Sequence, residues 1–372
     1  MPPDAVIEKL EQRLKSEAGQ RQLSAAFDMV DSPEVRELLK HSPQLSAASD
    51  WLARNLLPKW DSANGQAERM QRQYRFIAHT AISLGALAIV LAVAQLPQVD
   101  LFEHAAPVVS TIEVCLAFLA ALVGVVGLGL RPDRKWLGNR HRAERLRLLK
   151  YEALGSEMLW SSPVGDWEDS VGKAIEALGE CSDHDQVEAW ALGGEASTKR
   201  PVDTPAGVDL RSARMLECYY RFKRLGHQRD YFGRQGTVFE NQSRPVKLFG
   251  RVLFAIFVIS AFVHFGVKVI EIFKLFELPR WAEELGQFAL FIAAAVPVIN
   301  VGVRMWFGAR EVPRSASLFR AKGDALAREE SRLRARAGDL TATRIVMSDI
   351  EHFLEHEHRE WLRLLLEAEW LL

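Results

Sequence analysis

Four stretches of the chain depart from the mixed polar and apolar pattern around them: Phe76–Leu96, Val108–Leu130, Leu248–Ile270 and Leu285–Phe307. Each runs 21 to 23 residues, close to the ~20 that a helix needs to cross about 30 Å of hydrocarbon. The first two carry almost no charge inside, with His79 near one end and Glu113 near the other. Arg251 and Lys268 lie near the two ends of the third, where long side chains can snorkel to the headgroups, and Arg304 lies near the end of the fourth. The pattern predicts four transmembrane helices.

Outside these blocks apolar residues recur every three or four positions, the period of an amphipathic helix, and no run alternates as a strand would. Val6, Ile7, Leu10 and Leu14 share one face near the N-terminus, and Ser32 followed by Pro33 reads as a helix start. Residues 131–160 read as a helix continuing out of the second span, followed by the loop SSPVGDWED and a short helix around Val171–Leu178. Gly, Pro, Ser and Thr mark Ala191–Asp209 as a linker. A helix resumes near Leu210 and enters the third span, with an interruption or kink expected near Gly233–Gly236 and Pro245. The C-terminal helix opens on the capping-box pattern Ser348 to Glu351 and carries Ile350, Leu354, Trp361, Leu364, Ala368 and Leu371 as an apolar stripe. The fold class expected is an all-α membrane protein: four transmembrane helices in two duplicated hairpins with a cytoplasmic helical assembly.

Charge sets the orientation. The net charge of −1 argues for no polyanionic partner, duplex DNA included, but Lys and Arg cluster beside the spans. Arg69, Arg72 and Arg75 precede the first and Arg131, Arg134, Lys135 and Arg140 follow the second, while PQVDLFEHAAP between them has neither residue type. Arg234, Arg244 and Lys247, then Arg310, Arg314 and Arg320, frame the second pair in the same way. The positive-inside rule places both termini and the centre of the chain in the cytoplasm. Cys115, Cys181 and Cys218 have no CxxC spacing, which fits a reducing compartment and no zinc site. The polar first 65 residues carry no pattern of a cleavable signal peptide.

The halves repeat at an offset of 172 residues. Glu68, Arg72 and Arg75 fall on Glu240, Arg244 and Lys247; Arg142, Leu146, Lys150, Glu152, Ala153 and Leu154 fall on Arg314, Leu318, Lys322, Asp324, Ala325 and Leu326. Two matches at one offset, bracketing hairpins of similar length, point to duplication with both copies in the same orientation. The organisation expected is N-terminal helices over 1–65, a first hairpin repeat with its basic helix over 66–160, a linker region over 161–209, a second hairpin repeat over 210–332 and an amphipathic helix over 333–372.

A basic helix, a two-span hairpin with a short outer loop and a long helix reading RHRAERLRLLKYEAL resemble the SLATT-type two-transmembrane effector domain, and YYRFKRLGHQRDYF fits the Tyr/Arg-rich helix ahead of its hairpin. The resemblance covers about 66–160 and 210–332. It implies a multi-pass effector of the bacterial inner membrane that acts in antiphage defence. Such a protein forms a homo-oligomeric pore, dimer to tetramer, and depolarises the membrane under a nucleotide or oligonucleotide signal from a neighbouring nucleotidyltransferase. The alternative is a non-conducting scaffold that recruits a cytoplasmic partner.

Arg142, Arg145 and Lys150, with Tyr219, Tyr220, Arg221, Lys223 and Arg224, could form a nucleotide site, since Arg grips phosphate in bidentate fashion and Tyr offers a face to a base. The same charges could equally attract anionic lipid or bridge subunits. Glu113, His264, Asn300 and Arg304 are the candidates to line a pore, the competing use being helix-to-helix hydrogen bonds or headgroup contact. His352-Phe-Leu-Glu355-His356 matches the inverted zinc-protease signature, but it sits in a charged run with no third ligand marked. No Walker loop, nucleophile elbow or dinucleotide fingerprint occurs, and Gly124, Gly127 and Gly129 serve helix packing inside a span. Neither a catalytic site nor a metal or other cofactor is expected.

Overall fold

The computed structural model describes residues 3–21, 26–95, 105–180, 184–193, 210–273, 279–308 and 315–367. Among them every regular element is a helix: α1 (Pro3–Arg21), α2 (Pro33–Leu39), α3 (Pro43–Asn55), α4 (Leu57–Ala94), α5 (Ala106–Leu130), α6 (Pro132–Gly155), α7 (Glu157–Ser161), α8 (Val164–Glu180), α9 (His184–Leu192), α10 (Leu210–Tyr220), a π-helical turn (Arg221–Gly226), α11 (His227–Phe273), α12 (Arg280–Gly308), α13 (Ser315–Ala335) and α14 (Leu340–Glu367). Four of these helices are long and apolar enough to cross a membrane. The expected class, an all-α protein with four candidate spans, is what the chain adopts. Residues 97–104 of the first connector and the linker 194–209 lie outside the described residues, as do Cys181, Arg310, Arg314, Ala368 and Leu371.

Two compact units divide the chain: a polar one from 1–71, 133–236 and 317–371, and an apolar one from 72–132 and 237–316. In the apolar unit the first hairpin closes through Gly127, whose absent Cβ would lie 2.9 Å from Ile77, and Gly85, where it would lie 4.0 Å from Ala120. The second closes through Gly250 against Asn300 and Gly286 against Val267. Small residues thus let the backbones approach, the usual device where lipid offers no hydrophobic drive for pairing.

The polar unit has a conventional core. Val6, Leu10 and Leu14 of α1 are buried against the rest of the unit, as their spacing predicts. Ser32 caps α2, accepting from the Val35 amide at 3.3 Å, with Pro33 in the first turn. Trp60, Trp167, Tyr151, Tyr219 and Tyr220 fill the centre. The offset of 172 residues also relates contacts within this unit. Arg147 lies over the Trp60 ring at 5.4 Å, and their counterparts Phe319 and Phe232 stand ring to ring at the same 5.4 Å.

Four expectations need correction. The helix after the second span is not continuous: Arg131 takes φ 44 and donates to the Gly127 carbonyl. Pro132 disfavours the right-handed conformation in the residue before it and so starts a new helix. SSPVGDWED is not a loop, because α8 begins at Val164 and buries Trp167. The helix runs unbroken through Gly233–Gly236 and Pro245, and the irregularity is the π turn Arg221–Gly226 upstream. Finally, α14 starts at Leu340, where Asp339 accepts from the Ala342 amide, so Ser348 lies inside the helix and caps nothing.

Candidate functional site

The segment Phe27–Asp31 enters the polar unit as a turn without regular hydrogen bonding, and its backbone carbonyls need donors inside the protein. Basic and phenolic side chains from α6 and the α10–π helix supply them. Lys150 Nζ donates to the carbonyls of Asp28 (2.7 Å) and Met29 (3.0 Å), Tyr151 donates to Asp28, and Lys223 donates to Val30 at 3.0 Å. The two carboxylates of the segment complete the cage. Asp28 accepts from Arg224 at 3.1 Å and lies 3.4 Å from Arg147; Asp31 accepts from Tyr219 at 2.7 Å and Ser49 at 3.1 Å, with Lys223 at 3.5 Å. From α14, Glu351 accepts from Tyr220 at 2.7 Å and from two nitrogens of Arg224 at 3.0 and 2.9 Å.

Burial alone would raise the Asp28 and Asp31 carboxyls. The surrounding cations, Arg147 foremost at Asp28 and Lys150 at Asp31, hold both below the ordinary carboxylate value. Burial likewise lowers Lys150, against the pull of Asp31. Burial also opposes the charge on Arg224, but Glu351 overrides it and raises the guanidinium well above its usual value. On the rim, Glu152 is pushed up to about 7 by burial and by the charges of Glu351 and Glu355.

Most of the cationic and phenolic residues grouped from the sequence therefore meet, but facing inward. Lys150, Tyr219, Tyr220, Lys223 and Arg224 share the cage, and Arg221 stands beside it, bound to Glu217 at 2.7 Å and Glu11 at 2.6 Å. Arg145 reaches Glu355 at 3.5 Å and the Trp190 ring at 5.1 Å, while Arg142 lies half-buried beside Gly179. The caged side chains have as partners the carboxylates of Asp28, Asp31 and Glu351. The composition signalled the cations and missed these partners. The clue was AFDMVD, two acids set among apolar residues that belong in a core.

A second polar constellation was also missed. His141 Nδ1 and His358 Nε2 are 3.2 Å apart in the interior, their rings stacked and boxed by Trp190 and Trp361. Burial holds both imidazoles neutral, His141 lowered to about 2 and His358 to about 4. Of the protease-like motif, Glu355 is buried and bound to Arg359, while His352 and His356 are exposed. Among the described residues no group of three metal-binding side chains gathers anywhere.

Within the apolar unit, Gln95 donates to Glu113 at 3.4 Å, and His264 donates from Nδ1 to the Gly286 carbonyl at 2.9 Å. Asn300 Oδ1 lies 3.7 Å from where a Gly250 Cβ would stand, and Arg304 is exposed. His79 stacks on Trp306 at 4.0 Å. Glu113, His264 and Asn300 are each next to another helix of their unit.

Residues 58–153 match a family described as a protein of unknown function (DUF4231). That interval spans α4, α5 and nearly all of α6. No curated protein and no solved structure matches the chain.

Proposed function

We propose that the protein is an oligomeric membrane effector that permeabilises the bilayer under control of its polar unit. The observation that carries this reading is α5: none of its 25 residues is buried within the chain, and Gly124 and Gly129 have nothing within 4 Å of a notional Cβ. An apolar helix so uncovered is left for lipid or for another copy, and its small residues permit close approach. Copies meeting there would enclose what four helices of one chain cannot. The flanking Lys and Arg support a cytoplasmic polar unit, and a bacterial inner membrane is what the SLATT resemblance implies. The resemblance to SLATT-type effectors supplies the setting of antiphage defence.

Control in this reading is a two-state affair in which the inward cage is the locked state. A nucleotide signal that acts through Lys150 and Arg224 must compete with Asp28, Asp31 and Glu351 for the same cations. It shifts the equilibrium only as far as it prefers the unlocked state. The scaffold reading is kept because His264 serves a helix contact and so frees no polar face for water.

The deciding experiment is ion flux from potassium-loaded liposomes bearing the pure protein, with and without nucleotides. Flux that rises with protein density and is modulated by a nucleotide supports the effector. Tight vesicles at every density, carrying correctly folded oligomer, would leave the scaffold.

A further inference from the structure

The repeat offset exposes a difference between the two copies. In the first, Leu57, Leu148 and Tyr151 pack into the core, and the Tyr151 hydroxyl seals the contact by donating to Asp28. At the same places in the second stand Arg229, Arg320 and Gly323. Two apolar side chains have become arginines, and an aromatic ring has been deleted. Where the first copy is filled, the second opens into a cleft of about 540 Å³ between α11 and α13, lined by Arg229, Asp230, Gly233, Arg234, Arg320, Gly323, Asp324 and Ala327.

The charges there are unequally used. Arg229 is engaged by Asp230 and Glu330, which leaves it a wall of the cleft. Arg234 makes no ion pair among the described residues; Arg320, on the facing helix, is exposed and is also engaged within the protein, so an anion would share its five N–H donors. Below them Gly323 brings the helices together, since a Cβ there would lie 3.9 Å from the Arg229 carbonyl and the Gly233 amide. The volume falls within the range of small-molecule sites. We infer that this cleft binds a phosphoryl-bearing anion, with Arg234 and Arg320 gripping the phosphoryl oxygens from opposite helices. The carboxylates of Asp230 and Asp324 in the lining disfavour large polyanions and favour a ligand with one or two phosphoryl groups. The inference stands whether or not the spans conduct.

The test uses the full chain in detergent micelles. Inorganic pyrophosphate is titrated calorimetrically, and retention of phosphatidylglycerol against phosphatidylcholine is read by native mass spectrometry. Saturable binding is expected to one of the two probes, pyrophosphate marking a soluble ligand and phosphatidylglycerol a lipid headgroup. Arg234→Glu with Arg320→Glu should weaken it by about tenfold or more. Gly323→Tyr, which restores the ring of the first copy, should weaken it similarly without altering charge, helical circular dichroism remaining that of the wild type in both. Binding of neither probe overturns the site, as does binding indifferent to the double variant. Loss with the charge reversals but not with Gly323→Tyr also overturns it, since that pattern belongs to a solvated basic face with no cleft.

Discussion

Arg224 and Glu351, 127 positions apart in the chain, face each other as a two-point ion pair in the interior, with Nε and Nη2 at 3.0 and 2.9 Å from the two carboxylate oxygens. One residue belongs to the π turn ahead of α11 and the other to α14, so the pair ties the C-terminal helix to the segment that leads into the third span. Removing Glu351 takes the two-point partner from a fully buried guanidinium and leaves it with Asp28 alone. Glu351→Ala is expected to cost about 3–5 kcal/mol, while Arg224→Met with Glu351→Leu should recover a large part of that loss. Urea unfolding in detergent, followed by tryptophan emission, reads both. A single variant within about 1 kcal/mol of wild type would show the pair to be dispensable.

Glu152 gives the cage a dependence on pH near neutrality. Its folded value of about 7 exceeds the ordinary 4.5, so between those limits the folded state holds a proton that the unfolded chain has released. Stability therefore falls as pH rises from about 4.5 to about 7. The amplitude is on the order of 2 kcal/mol, the full shift being reduced by the partly solvated edge of the carboxyl. Glu152→Gln should remove this slope and raise the melting temperature at pH 8 more than at pH 5. Equal shifts at both values would contradict the assignment.

The His141–His358 pair acts with the opposite sign. Both imidazoles are held neutral in the fold while the unfolded chain protonates near 6.5. The unfolded state then binds more protons below that value, and acid destabilises from about 6.5 down through about 4. His358→Gln should flatten this limb, and the proton resonances of the two rings should show no titration above pH 5. An imidazole titrating at its ordinary position would contradict the closed box.

How much of this was legible in the sequence varies with the physics that fixes each feature. The spans were plain because lipid demands a run of apolar residues as long as the bilayer is thick. The break at Arg131 was also written, in Pro132, but a helical pattern on both sides of it concealed the proline's effect. Ser348 and Glu351 matched a capping box because that motif is short; the burial of Glu351 against Arg224 is a tertiary fact that no local window contains. The cationic cluster was found by residue type, yet its direction was not, since a lysine that meets a backbone carbonyl 122 positions away reads the same as one that meets solvent.

The spans offer a last test that separates packing within one chain from packing between copies. Gly127 and Gly124 lie on the same helix three residues apart, in different surroundings. A Cβ on Gly127 would stand 2.9 Å from the Ile77 methyl, whereas one on Gly124 meets nothing within 4 Å. Ile77 is β-branched and has few rotamers with which to give way, so Gly127→Leu must push α4 and α5 apart and should lower the stability of the hairpin itself. Gly124→Leu leaves the hairpin as it is. If copies associate through α5, the added isobutyl group holds them apart, and the oligomer seen by crosslinking in native membranes should shift toward the monomer while the melting temperature of the detergent-solubilised chain stays unchanged. An unaltered crosslinking ladder in Gly124→Leu would move the contact between copies to another helix; a loss of folded chain equal to that of Gly127→Leu would show that the α5 face is closed within a single copy.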